Sequence, residues 1–175
     1  MGKRSLRTTF LVLISLLILL CGTTFALMLR QTDTLDNQFK PAIVSCAVTE
    51  SFDGTEKTSI VVKNTGNIDA YLRLRLISYW VDSKGNIVSK SSRMPRVSVA
   101  DGWVEGSNNT YYYSQPVAPN ETTPNLLDKK ITLVQENEYL QVVEVFADAI
   151  QSKPTDAVIE SWHVTLDSNK IITAP

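Results

Sequence analysis

A single histidine, His163, stands in the 175-residue chain, directly after Trp162. Histidine is the commonest general base, yet no nucleophile motif accompanies it: Gly-x-Ser-x-Gly is absent, and so is the His-Glu-x-x-His pair that would hold zinc. It reads as a surface or satisfied core residue of a strand. Carboxylates come in pairs, Glu136/Glu138 and Glu144/Asp148. A strand spacing of two puts Glu136 and Glu138 on one face, where solvation is their simplest fate, and nothing marks either pair as a glycosidase pair. Neither "GSNNT" nor "NTGN" carries the Gly-Lys-Ser/Thr and following helix of a phosphate loop. The Asp-bearing stretches "DNQ", "FDGTE" and "VADGW" offer oxygen ligands to calcium without the EF-hand pattern, and read as turn chemistry. "NNT" at Asn108 and "NET" at Asn120 are formal glycosylation sequons. The aromatics Trp103, Tyr111, Tyr112 and Tyr113 could stack on a sugar and form the candidate binding surface. At strand spacing Tyr111 and Tyr113 share a face with Tyr112 opposite, so the plainer expectation is one core face and one exposed ring. No cofactor, metal site or catalytic residue is implied.

The elements that would carry these residues are mostly strands. "AIVSCAVTESF" and "EKTSIVVKN" have strand composition. In "DAYLRLRLISYWV", Ala70, Leu72, Leu74 and Leu76 alternate with Tyr71, Arg73, Arg75 and Ile77, the pattern of a half-buried antiparallel strand. The Asn64-Thr65-Gly66-Asn67 turn before it calls for a positive φ that Gly66 can take, and Arg73 and Arg75 are expected to pair with carboxylates on a neighbouring strand. "DSKGN" turns the chain into "IVS". "SSRMPRVSVADGWVEGSNNT" reads as a long surface connection anchored by Trp103, followed by the aromatic strand "TYYYSQPV", a loop in "APNETTPNLLD" and a strand in "KKITLVQ". "EYLQVVEVFADAI" is helix or strand, and its β-branched content with alternating Val143, Val145, Ala147 and Ala149 favours strand. "KPTDAVIESW" predicts a helix of about two turns capped by Thr155 or Asp156, and "HVTLD" a short strand. Short strands with regular turn signals and one short helix predict an all-β fold, a jelly-roll-like antiparallel β-sandwich.

The N-terminus differs in kind. Phe10 to Leu29 carries no charge, behind Lys3, Arg4 and Arg7, so residues 1–29 read as a signal peptide or a transmembrane anchor with the remainder outside the cytoplasm. Thr24 and Ala26 are the small residues a signal peptidase would use. Uncleaved, residues 10–29 would hold the chain in the membrane. Residues 30–41 then form a linker or N-terminal donor segment and residues 42–175 the extracellular domain. All 18 acidic residues follow Arg30, leaving a mildly acidic body without the basic stripe that nucleic acid requires. The two cysteines, Cys21 in the apolar stretch and Cys46 beyond it, cannot pair if the first is embedded or removed, so the domain depends on its core. Cys46 reads as a small apolar strand residue.

Four stretches in order resemble one family. "GTTFALMLRQTDTLDNQF" is similar to the exported start of the TasA/camelysin-like proteins of Gram-positive bacteria, and "VKNTGNIDAYLRLRLI" to their Asn-Thr-Gly-x-x-x-Ala-Tyr-x-Arg segment. "WVEGSNNTYYYSQPVAPNETTPNLLD" and "VEVFADAIQSKPTDAVIESW" resemble the aromatic strand and the strand, short helix and Trp that follow it. On that resemblance Asn64, Gly66, Ala70, Tyr71 and Arg73 belong to the scaffold. It implies a jelly-roll sandwich, processing by a SipW-type signal peptidase, and a non-enzymatic role at the cell surface or in biofilm matrix, with the protein itself or related matrix subunits as partners. It also implies strand donation, with Gln31 to Val48 as the donor. The alternative is a membrane-anchored binding module whose Trp103 and Tyr111 to Tyr113 contact a glycan or a protein.

Overall fold

The computed structural model describes residues 3–31 and 40–174, with side chains from 7 to 23 and from 40 to 174. The chain divides into two compact units, Met1–Lys40 and Pro41–Pro175. The first is built on helix α1, Lys3–Gln31. Its side chains from Arg7 to Thr23 are all exposed. Among the described residues no helix is long and apolar enough to cross a membrane; the described side chains of α1 stop short of the about 20 residues that a crossing takes. The spanning reading of residues 10–29 therefore rests on sequence. Thr24 and Ala26 lie outside the described side chains, and 32–39 outside the described residues.

The second unit is mostly β and wholly antiparallel. Its strands are β1 (Cys46–Phe52), β2 (Glu56–Asn64), β3 (Ala70–Val81), β4 (Ile87–Val88), β5 (Ser98–Val99), β6 (Trp103–Glu105), β7 (Thr110–Tyr113), β8 (Leu127–Lys129), β9 (Ile131–Thr132), β10 (Gln135–Glu136) and β11 (Tyr139–Gln151). Helix α2 (Asp156–Trp162) and the pair β12 (Thr165–Leu166) and β13 (Ile172–Ala174) close the chain. Of four sheets among the described residues, the two larger run β1-β2-β9 and β10-β11-β3-β7-β6, with β4 on β3, and curl as a half-barrel around a shared core; β5 pairs with β8 and β12 with β13 in two-stranded sheets.

The two strands of "VVKNTGNIDAYLRLRLI" do not pair with each other. β2 pairs with β1 and β9, whereas β3 pairs with β11 along its whole length, so Asn64 to Asp69 carries the chain from one sheet to the other. The alternation in β3 works as its pattern requires: Ala70, Leu72, Leu74 and Leu76 are buried against Ile60 and Val62 of β2. Gly66 serves another purpose than the one expected of it. It is not among the positive-φ glycines, which are Gly54, Gly85 and Gly102. A Cβ there would lie 2.3 Å from the Ile43 carbonyl oxygen, so close approach of a backbone excludes every larger side chain.

Three further expectations are corrected. The connection from Ser91 to Asn109 contains β5 and β6, because the N–H and C=O groups of Trp103 to Glu105 find partners on β7. The expected strand in "KKITLVQ" is cut into pieces of β8, β9 and β10 that belong to different sheets. Ahead of them Thr123 Oγ1 accepts from Val62 N at 3.0 Å and Asn125 Oδ1 from Ile60 N at 2.8 Å, so side chains stand in for ladder carbonyls along β2. At α2, Thr155 occupies the N-cap without a side-chain capping hydrogen bond, and His163 ends the helix in a left-handed conformation at φ 54° instead of sitting in a strand.

Candidate functional site

β1 and β11 each leave one long edge without a strand partner among the described residues. β1 pairs only with β2. β11 pairs with β3 on one side, while on the other it meets β10 only at Tyr139 and Leu140, with one further bond from Gln141 N to Val134 O at 2.9 Å. The open edges face each other. Glu50, Phe52 and Lys57 line one groove with Leu140 to Glu144, and at the other end the Cys46 thiol feels the Asp148 carboxylate. Cys46 to Phe52 therefore runs alongside Asp148 to Gln141, in the opposite direction. β1 and β11 approach within 8 Å between Cα atoms but form no ladder with each other.

Inward-facing side chains along this seam are incompletely covered. Val143 is 1 % exposed, but Val145, Ala147 and Ala149 after it are only half-buried, as are Cys46 and Val48 opposite. Burial pushes the Cys46 thiol above its ordinary pKa, helped by the nearby Asp148 charge, so it stays protonated and behaves as a small apolar residue. Near the far end Lys57, itself buried, pairs with Glu50 and lies over the Phe52 ring.

The entry to β1 is fastened to the inter-sheet turn. Ile43 N donates to Asn67 Oδ1 at 2.7 Å, Asn67 N to Ile43 O at 3.0 Å, Asn67 Nδ2 to Pro41 O at 2.9 Å and Thr65 N to Ser45 O at 3.0 Å. Fully buried Asn64 fixes that turn from within, donating through Nδ2 to Ile68 O and Val117 O and accepting Gly66 N on Oδ1. Asn64 and Gly66 are thus scaffold by direct contact.

Of the other scaffold residues, Ala70 belongs to the main core, whereas Tyr71 and Arg73 face the outside of the larger sheet, where a second cluster covers them. Tyr71 is buried with Tyr112, Val158, Trp162, Val164 and Ile172, and its hydroxyl donates to Lys170 O at 2.6 Å. Arg73 Nε meets Asp148 Oδ2 at 2.9 Å and its guanidinium stacks 4.8 Å from the Trp162 ring centre. Arg75 differs: the register sets Phe146 of β11 and Thr110 of β7 opposite it, and it has no ion-pair partner among the described residues.

The aromatic residues do not form an open surface. Trp103 is 7 % exposed, donates through Nε1 to Pro124 O at 3.2 Å and packs 5.5 Å from Tyr113. Tyr111 belongs to the same core. The single exposed ring expected at Tyr112 is a buried one, because α2 lays Trp162 over it at 5.8 Å. Trp103, Tyr111 and Tyr112 thus offer no open ring face, while Tyr113 remains partly exposed.

No family model, curated protein or solved structure matches this chain.

The Asp-bearing turns spend their oxygens locally. Asp53 Oδ1 accepts Thr55 N, Thr55 Oγ1 and Glu56 N, and these bonds hold its carboxyl below the usual range. Asp82 is lowered in the same way by Asn86 and Lys84. Among the described residues no three His, Cys, Asp or Glu gather as a metal site.

Proposed function

We propose that this protein is an exported, non-enzymatic structural component of the cell surface or extracellular matrix, acting through self-association. In this reading the fold is a jelly-roll-like sandwich, residues 1–29 direct export, and Thr24 and Ala26 mark the processing site. The observation that carries it is the seam between β1 and β11, with two unpaired edges over half-buried Val145, Ala147 and Ala149. An exposed edge is a template for another strand. A strand entering this seam would have to part the two edges from within 8 Å to about two strand spacings, roughly 9.6 Å, and would then run antiparallel to one edge and parallel to the other, its inward side chains over the half-buried residues of β11. The resemblance to exported matrix proteins in four ordered stretches points the same way.

The donor segment is shorter than Gln31 to Val48. Residues Cys46 to Val48 already pair with Asn64 to Val62 within their own chain, and Pro41 to Ser45 are bound to the turn at Thr65 and Asn67. What remains for donation is residues 31–40. Without cleavage the same domain would remain beside the membrane as an anchored monomer.

Two measurements test this. Intact mass and N-terminal sequencing on the native host's cell and medium fractions should give a start near Leu27 in the medium. Sedimentation of a chain beginning at Leu27 should then show concentration-dependent polymers, and deletion of residues 31–40 should leave a folded monomer. A Leu27 chain that stays monomeric at every concentration refutes the proposal, as does assembly that survives the deletion.

A further inference from the structure

Away from the seam, a polar cleft of about 690 Å³ opens between residues 93–97 and the β6–β7 hairpin. Its size falls within the range of small-molecule sites, about 300–1,000 Å³. Arg93 and Arg96 stand on one side, Glu105 and Asn109 on the other, and Tyr111 and Gln141 line it from the core. Among the described residues, neither arginine has a carboxylate within ion-pair distance. Tyr111 is 2 % exposed, and its hydroxyl has no hydrogen-bond partner among the described residues. Every fully enclosed side-chain polar atom is satisfied, so that hydroxyl reaches the solvent of the cleft.

Both walls are held in place. Buried Gln141 donates through Nε2 to Arg93 O at 2.8 Å and to Ser78 Oγ and Ser92 Oγ, and accepts Val134 N on Oε1. Trp80 Nε1 adds a bond to Ser91 O at 3.1 Å, and Met94 and Val97 pack on the core. The opposite wall is set by Leu76 N donating to Asn109 O at 3.0 Å and by Gly106 N to Thr110 O at 2.8 Å. The backbone bearing the arginines thus needs little ordering when a ligand arrives.

We infer that this cleft binds a polyhydroxyl ligand carrying a single oxyanion, the chemistry shared by a uronate sugar unit and a polyol phosphate. Two guanidiniums take the oxyanion with charge-assisted hydrogen bonds. The Tyr111 hydroxyl donates to it from the floor and stays protonated at every physiological pH, because burial and, secondarily, Glu105 push its pKa up to about 12. Glu105 accepts ligand hydroxyls and repels a second negative charge, which selects against densely anionic chains. Asn109 contributes a donor and an acceptor at the rim. The inference uses only groups of the cleft and stands whether or not residues 31–40 are donated.

The test is calorimetric titration of the full chain in neutral detergent at low salt, with a galactose trimer carrying one terminal galacturonate, glycerophosphoglycerol (a phosphodiester with one negative charge) and a neutral galactose trimer. At least one charged probe should bind and the neutral one should not; the tighter charged probe identifies the source of the oxyanion. Arg93→Gln and Arg96→Gln should each weaken binding by about 10-fold or more, and Tyr111→Phe by about 3- to 10-fold. Tyr111→Phe keeps the ring, and thermal melting of each variant checks that the fold is retained. No heat with either charged probe at 10 mM, equal binding of the neutral trimer, or unchanged affinity in all three folded variants would overturn the inference.

Discussion

Gly66→Ala is the sharpest probe of the inter-sheet turn. The added Cβ would sit 2.3 Å from Ile43 O and 3.1 Å from Asn64 Oδ1. Relief at Ile43 requires a movement of about 1 Å, since carbon and oxygen rest at roughly 3.2–3.5 Å when not bonded. Ile43 O is the acceptor for Asn67 N, and Ile43 N donates to Asn67 Oδ1, so the shift breaks both bonds and strains those of Pro41 and Ser45 beside them. Two to three bonds at about 1 kcal/mol each give a loss of about 2–3 kcal/mol. In a domain of this size that lowers Tm by roughly 6–12 °C. Thermal unfolding followed by circular dichroism reads the loss. Amide hydrogen exchange locates it, with Ile43, Thr65 and Asn67 expected to lose protection while β3 and β11 keep theirs. A Tm within 2 °C of the parent with those three amides still protected would refute the close-approach argument.

Other expectations concern the core, the β2 edge and titration. Trp103→Ala should cost about 3–5 kcal/mol by chemical denaturation, because it empties a buried site and removes the bond to Pro124 O; a loss below about 1 kcal/mol would place Trp103 on the surface after all. Thr123→Val should cost about 1–3 kcal/mol by leaving Val62 N without its acceptor inside the sheet, and a neutral result would show that another group replaces Oγ1. The lowered carboxyls of Asp53 and Asp82 add stability that is present above the unfolded value near 3.8 and disappears as pH falls through their folded values, so an Asp53→Asn/Asp82→Asn pair should flatten the acid limb of the stability curve. For Tyr111 the sign is opposite: raised from 10 to about 12, it contributes stability fully present below pH 10 and lost as pH rises toward 12, a slope that Tyr111→Phe should reduce.

The most regular strands were the most legible. β3 and β11 declare themselves through alternation and β-branched content, and the expected ion pair appears at Arg73 and Asp148, which the register sets directly opposite each other. Arg75 lacks one because its register partner is Phe146, and sequence spacing alone does not reveal register. The burial of Tyr112 escaped detection since its cover, Trp162, arrives from fifty residues away on α2. The segment before β8 hid its edge role behind Pro124, as Thr123 and Asn125 supply acceptors by side chain rather than by period-2 backbone. Gly66 looked like a φ requirement, whereas the reason is a carbonyl 23 residues earlier in the chain. The cleft gave no signal because Arg93 and Arg96 sit in a polar connection with no period, and the residue that fixes them, Gln141, lies on a distant strand.

The fastening of Pro41 to Ser45 onto Thr65 and Asn67 has a mechanical consequence. β1 pairs with β2 from Cys46 opposite Asn64 at the open end to Phe52 opposite Lys57 near the turn. Tension applied from the N-terminal side would therefore peel the hairpin open one bond at a time, the weakest way to load a ladder. The clamp of three Asn67 bonds and one from Thr65 lies ahead of that ladder and offers all four together, so it bears the force before any strand does. Whatever holds the N-terminus, a bilayer or a neighbouring subunit, the force at which this domain yields is set at Ile43 and Asn67.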